Sequence, residues 1–259
     1  MLTRQLGIAW VIAILPAFAQ VASPAPQHGP IRDLQNHRDG TVASSNWSGY
    51  AVKGSAFTSV EGSWIVPTAT CPSGSQYASF WVGIDGYSSG TVEQTGTDSD
   101  CHEGKPHYYA WYEFYPQRGY TFPSLVIQPG DLMWAKVFYD GSEFTVVIKD
   151  LTSGRTSSKS ATVPGAKRSS AEWIAEAPCC TAKGDILPLA DFGTLLFGGD
   201  STGVTGTNYA TDSSTSGAIG SFPAVEEIIM EKPKLKVEKA IPSILSSDGT
   251  SFSVNWAAQ

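Results

Sequence analysis

Trp81-Val82-Gly83-Ile84-Asp85-Gly86, leading on to Glu93-Gln94-Thr95-Gly96 and Trp111-Tyr112-Glu113-Phe114-Tyr115, decides how this chain folds when read with Ala171-Glu172-Trp173-Ile174-Ala175-Glu176. As strands, these runs point alternate side chains to opposite faces. Trp81, Gly83 and Asp85 then share one face and Val82 and Ile84 the other. Gln94 falls in phase with Val92 and Gly96, Glu113 with Trp111 and Tyr115, and Glu172 faces away from Trp173. Sheet faces that mix Trp, Tyr, Asp, Gln and Glu suit a binding groove better than a core.

Outward from that stretch, short runs rich in β-branched and aromatic residues recur between turn signals. They cover Trp47 to Val52, Val60 to Val66, Ala78 to Ile84, Tyr108 to Tyr115, Leu132 to Tyr139 and Phe144 to Ile148. Asp140-Gly141 marks a hairpin, because both residues tolerate the positive φ of a tight turn. Almost no helical periodicity accompanies them, so the expected fold is all-β, an antiparallel β-sandwich of the concanavalin or jelly-roll kind with a concave groove. Ala224 to Glu231 reads as a strand rather than a short helix, since Glu227 and Glu231 would repel at helical spacing. Gly198 to Gly220, rich in Gly, Ser and Thr, reads as a long surface loop over the groove.

The N-terminus opens with Arg4, an apolar run from Leu6 to Leu15, and Ala17-Phe18-Ala19 before Gln20. That is the pattern of a secretory signal peptide over residues 1–19, and the run is shorter than the roughly 20 residues a membrane-spanning helix needs. Residues 20–43, with three prolines and little apolar periodicity, read as a flexible leader or a short propeptide. Residues 44–259 are long enough to form one domain.

Seventeen Lys and Arg stand against 24 Asp and Glu, a formal charge of −7. With no basic cluster to meet phosphates, a nucleic-acid partner is excluded. Few cations also limit self-repulsion once carboxylates neutralise in acid. Four cysteines in an exported chain suggest disulfides. Cys71 and Cys101 flank the central stretch, while the adjacent Cys179 and Cys180 fit a vicinal bridge, separate partners or an interchain link.

The words Asn46-Trp47-Ser48-Gly49, Trp81 to Gly86, Gln94-Thr95-Gly96, Ala110 to Pro116 and Ala171 to Ile174 run in order along the chain. Together they resemble the glutamic peptidases, or eqolisins, with matches from about Ser44 to Phe197. The resemblance is to a bacterial-like member, and the chain departs from the fungal pattern in its short leader and its Cys179-Cys180 pair. It implies a secreted, acid-active endopeptidase, indifferent to pepstatin and free of metal or other cofactor. By motif the catalytic pair falls on Gln94 and Glu172, and the groove lining on Trp47, Trp81, Asp85 and Glu113. Protein or peptide substrates are the implied partners, with no membrane partner after export, and the expected form is a monomer.

Peptide hydrolysis needs a base for water, donors for the developing oxyanion and an acid for the departing amine. A glutamate serves as base and then acid, and an amide side chain donates to the oxyanion while its carbonyl orients the water. Taken without the resemblance, Glu172 reads as a strand-edge carboxylate, Gln94 as a surface amide, and Trp47 and Trp81 equally as core. Cys101-His102 with His107 forms an incomplete metal-ligand set. No Gly-x-Ser-x-Gly, Asp-Thr-Gly or Asp-Ser-Gly word marks a commoner protease. Two other readings stand beside the peptidase: a glycoside hydrolase using Glu113 and Glu172, and a non-catalytic carbohydrate-binding sandwich stacking sugars on Trp81, Trp111 and Tyr115.

Overall fold

The computed structural model describes residues 22–179, 184–232 and 234–259. The expected signal peptide and Cys180 lie outside these residues. Two packed layers of antiparallel strands make up the body, as the alternation predicts. In the groove layer, Val225–Lys232 pairs with Trp47–Lys53, which pairs with Ser170–Glu176, then Ser79–Ile84, Val92–His102, Lys105–Tyr115 and Tyr120–Thr121. In the back layer, Ser59–Ile65 pairs with Leu132–Tyr139, then Phe144–Asp150 and Arg155–Ala161. Val237–Pro242 and Phe252–Trp256 join the layers at one side, from Val225–Lys232 around to Thr194–Phe197.

The core between the layers takes one face of each strand. Phe80, Val82 and Ile84 meet Trp64, Met133, Val137, Val146, Phe114 and Trp173, all buried. The other face of the groove layer builds a second, smaller cluster of Trp47, Ala51, Trp81, Val92, Trp111 and Ile174. Glycine lets strands approach where a side chain has no room: at Gly96 a Cβ would lie 2.2 Å from the Phe80 carbonyl oxygen.

Cys71 and Cys101 form a disulfide, tying the end of Val92–His102 to the loop before Ser79–Ile84. Ala224 to Glu231 is a strand as expected. Gly198 to Gly220 differs from its expectation: it holds a one-turn helix at Gly199–Thr202 and a hairpin of Tyr209–Thr211 with Ser216–Ala218. That hairpin pairs with Ser59–Ile65, so it extends the back layer and does not cover the groove. Glycine and serine content signalled turns here, and the edge of the back layer supplied the pairing partner that local composition does not encode.

Residues 23–31 cross the open face of the groove layer as an extended segment. Ser23 accepts from the Thr121 N–H, Ala25 donates to Gly119, Gln27 exchanges two bonds of 2.8 Å with Cys179, and Ile31 donates to Gly86. The chain then turns back into Val42–Ser44, parallel to Val225–Lys232. A leader with little apolar periodicity is thus held by backbone hydrogen bonds and by a few side chains.

Candidate active site

Strand register places the chemistry in rows. Glu172 is opposite Gly83, Gly83 opposite Gln94, and Gln94 opposite Glu113, all on the groove face. Two strand spacings separate the Glu172 and Gln94 backbones by about 10 Å, and the residue between them has no side chain. A Cβ at Gly83 would meet the Trp81 ring at 2.9 Å and the Gln94 Cβ at 3.1 Å. Gly83 therefore makes room for the Trp81 ring and the Gln94 side chain, and leaves an amide and a carboxyl flanking a position with no side chain of its own.

The next rows carry Ile174, Trp81, Gly96 and Trp111, then Glu176, Ser79, Asp98 and Tyr109. Trp47 lies opposite Glu176 and packs edge-on against Trp81 with ring centroids 5.0 Å apart. The Trp81 indole N–H donates to Glu176 at 2.8 Å, and that of Trp47 donates to the Gly29 carbonyl at 3.2 Å. Both tryptophans are fully buried beneath the leader, so they form the groove floor and its local core at once.

Glu172 is fully buried, and neither carboxyl oxygen has a protein hydrogen-bond partner; Gln94 Oε1 is likewise unpartnered. Burial holds the Glu172 carboxyl well above the usual carboxylate range; the nearby Ser170 hydroxyl pulls it down, and Asp85 and Glu93 push it further up. Gln94 Nε2 donates to the His28 carbonyl of the leader. Glu113 accepts the His28 backbone N–H at 2.7 Å, and its carboxyl is raised chiefly by burial. Asp85, expected in the groove lining, sits at φ 70° and has its oxygens taken by the N–H groups of Lys167, Arg168 and Ser169 at 2.6 to 2.9 Å. It fixes the loop that delivers Ser170–Glu176 to the row.

Three residues that contribute to this surface were not singled out from sequence, His28, Asp98 and Glu176, while Trp111, read there as a sugar-stacking surface, lies on the floor near Gln94. Period-two phase from Gln94 reaches Asp98, and from Glu172 reaches Glu176, so that signal was present. His28 offered none, because its place depends on the leader folding back over the sheet.

An open cleft of about 900 Å³ is elsewhere, among Ile186, Leu189, Leu235 and Lys239, and includes no residue of these rows. The groove is filled by the leader. Among the described residues, no group of three His, Cys, Asp or Glu side chains is arranged to hold a metal ion, and no helix is long and apolar enough to cross a membrane.

Burial of so many carboxyls fixes the pH dependence of stability. Burial raises Glu93 to about 9 and Glu176 to about 8, against about 4.5 when unfolded, and raises Asp100 and Glu113 as well. The folded chain then binds more protons than the unfolded chain, so this stability is full below the unfolded values and drains away as pH rises toward 9. His28, which burial alone would lower, is raised to about 10 by Asp98 and Glu113 and acts in the same direction above about 6.5. Lys239, lowered by burial to about 8, opposes it only above that value. The exposed turn carboxylates Asp39, Asp140 and Asp248 are lowered, and they matter only below their ordinary range. The thermal midpoint is therefore expected to be higher near pH 4.5 than near pH 8 by about 5–10 °C, the equivalent of a few kcal/mol. Calorimetry at the two pH values checks it; a midpoint that rises with pH would contradict the placement of these carboxyls.

Comparison with known proteins puts this arrangement in context. A stretch of 179 residues is 34% identical to Aspergillopepsin-2 of Aspergillus niger, covering 60% of this chain and 62% of that protein. A stretch of 172 residues is 34% identical to Scytalidopepsin B of Scytalidium lignicola, covering 63% and 64%. The chain thus spans just under two thirds of the length of these two curated relatives. The fold is similar to a crystal structure of scytalido-glutamic peptidase with a transition state analog inhibitor, at a TM-score of 0.68 and 26% identity, over 82% of this chain and 98% of that one. Residues 45–222, most of the chain and all of the rows described above, match the model of the Peptidase A4 family, and the chain belongs to that family.

Proposed function

We propose that this protein is an exported endopeptidase that hydrolyses peptide bonds by direct attack of water, with Glu172 as general base and then acid and Gln94 as oxyanion donor and water-positioning amide. The observation that carries this reading is the row Glu172, Gly83, Gln94, in which an unpartnered carboxyl and an amide flank a residue without a side chain, and the amide already holds a peptide carbonyl, that of His28. Glu172 takes a proton from water as the water attacks the substrate carbonyl. The Gln94 N–H stabilises the tetrahedral oxygen, and Glu172 passes its proton to the departing nitrogen. Trp47, Trp81 and Glu113 line the path of the substrate, and Asp85 positions the strand that carries Glu172.

The two carbohydrate readings are weaker. The glycosidase reading leaves Gln94, which stands between Glu113 and Glu172 in the row and holds the His28 carbonyl, without a role. The stacking reading gives no role to the unpartnered Glu172 carboxyl and Gln94 amide oxygen on the same face as Trp81 and Trp111.

Residues 20–43 serve in this reading as a propeptide. In the folded chain Glu172 is buried and its carboxyl is held well above the usual carboxylate range, whereas a base must be ionised. Departure of the leader lets water reach the carboxyl and removes the first cause of its raised pKa. The test is digestion of an unfolded protein substrate from about pH 2 to about pH 7, bracketing the glutamate reference of about 4.3, with pepstatin and a chelator present. The expected result is cleavage in acid that neither inhibitor affects and that rises as the leader is cut away. Loss of all cleavage in pepstatin or chelator would refute the mechanism.

A further inference from the structure

The His28 side chain occupies a formed pocket beside the row. It is fully buried and lies flat on Trp111, with ring centroids 3.6 Å apart and planes 5° apart. Nε2 is 3.4 Å from Asp98 Oδ2 and Nδ1 is 3.3 Å from Glu113 Oε2. These are charge-pair distances rather than aligned hydrogen bonds, and they place a carboxylate at each ring nitrogen. The Tyr109 hydroxyl, with one proton to give, lies 2.8 Å from Asp98 Oδ2 and 2.6 Å from Asp100 Oδ2, and so sits against the Asp98 oxygen that faces the ring. Glu176 stands two strands from Asp98 in register, with Ser79 between them.

A flat aromatic floor with a carboxylate at either end fits a planar cation that donates from two sides. Imidazolium and guanidinium meet that description. A lysine ammonium carries its charge at a point and cannot stack in the same way, an aliphatic side chain leaves two buried carboxylates unpaired, and an acidic one adds repulsion. The same residue's carbonyl is held by Gln94, so the pocket serves the residue whose peptide carbonyl reaches the candidate oxyanion donor.

We propose that Trp111, Asp98 and Glu113 form a substrate subsite selective for a planar cationic side chain, histidine or arginine, on the residue that contributes the carbonyl held by Gln94, and that His28 is its self-supplied occupant. The proposal rests on the peptidase reading of the groove, and two measurements on the full chain separate the two.

The first is mass-spectrometric mapping of cuts in a mixed peptide pool at about pH 5, where imidazole is charged. His and Arg are expected to be enriched about tenfold over Leu and Asp at one position flanking the cut, and Asp98→Asn with Glu113→Gln is expected to erase that preference. Cutting without any such enrichment overturns the subsite and leaves the peptidase intact.

The second needs no activity. In a Glu172→Gln background, an added protease nicks the leader at a rate set by how often it lifts from the groove. His28→Arg is expected to stay near the parent rate, while His28→Phe and His28→Leu are nicked at least about tenfold faster. His28→Phe as well protected as the parent means that His28 is only a flat filler, and overturns the proposal even where no peptide is cut.

Discussion

Glu172→Gln is expected to lower the rate of peptide hydrolysis by about 100- to 10,000-fold, the contribution of a positioned acid-base group. Glutamine keeps the shape and removes the proton traffic. The fold is expected to tolerate the change, because burial already holds the carboxyl in its neutral form and an amide carries no charge to desolvate. A thermal midpoint above pH 7 that is equal to or higher than that of the parent, with hydrolysis lost, distinguishes a chemical role from a structural one. A strand-edge carboxylate of no catalytic importance would leave the rate unchanged.

Gln94→Ala is expected to cost about 100- to 1,000-fold in kcat, the usual consequence of losing one oxyanion donor. KM is expected to change far less, since the interaction tightens as charge develops on the oxygen. Gln94 is on the groove face, so truncation is expected to leave undisturbed the core on the opposite face, where Ile84, Phe114 and Trp173 pack. In the full chain the same change also removes the bond from Gln94 to the His28 carbonyl, so the leader should be cut away more readily while turnover falls. Steady-state kinetics on a defined peptide, with leader cleavage followed on the same samples, reads both effects.

Much of this was legible because period-two alternation is a strong signal in a two-layer sheet. Trp81 and Val82 point to opposite faces as read, Glu172 does turn away from Trp173, and the six apolar runs are strands within a residue or two at most ends. Glu176 and Asp98 follow from the same alternation once Glu172 and Gln94 are placed. Other features had no local cause. The φ of 70° at Asp85 breaks the alternation and turns its carboxylate to the loop at Lys167 to Ser169, more than eighty residues away. Glu93, one residue before Gln94, points toward the core with both oxygens unpartnered, a placement that hydropathy argues against. The Gly198 to Gly220 segment takes its structure from the edge of Ser59–Ile65 and from the turn at Gly249 to Ser251, both distant in sequence. The leader shows the same limit most clearly. Its prolines and weak hydropathy say only that it lacks a core of its own, whereas its position follows from Trp111, Asp98, Glu113 and Gln94, residues that meet His28 only in the folded sheet.

The claim that Glu172 and Gln94 act as one unit is tested most directly by the rate of peptide cleavage in acid for the parent, Glu172→Gln, Gln94→Ala and the double variant, each checked for folding. Residues that serve one transition state are strongly non-additive. The double variant is therefore expected to be no more than a few-fold slower than Glu172→Gln alone. A double variant whose loss is the product of the two single losses, or a Glu172→Gln chain that cleaves at the parent rate, would contradict the account.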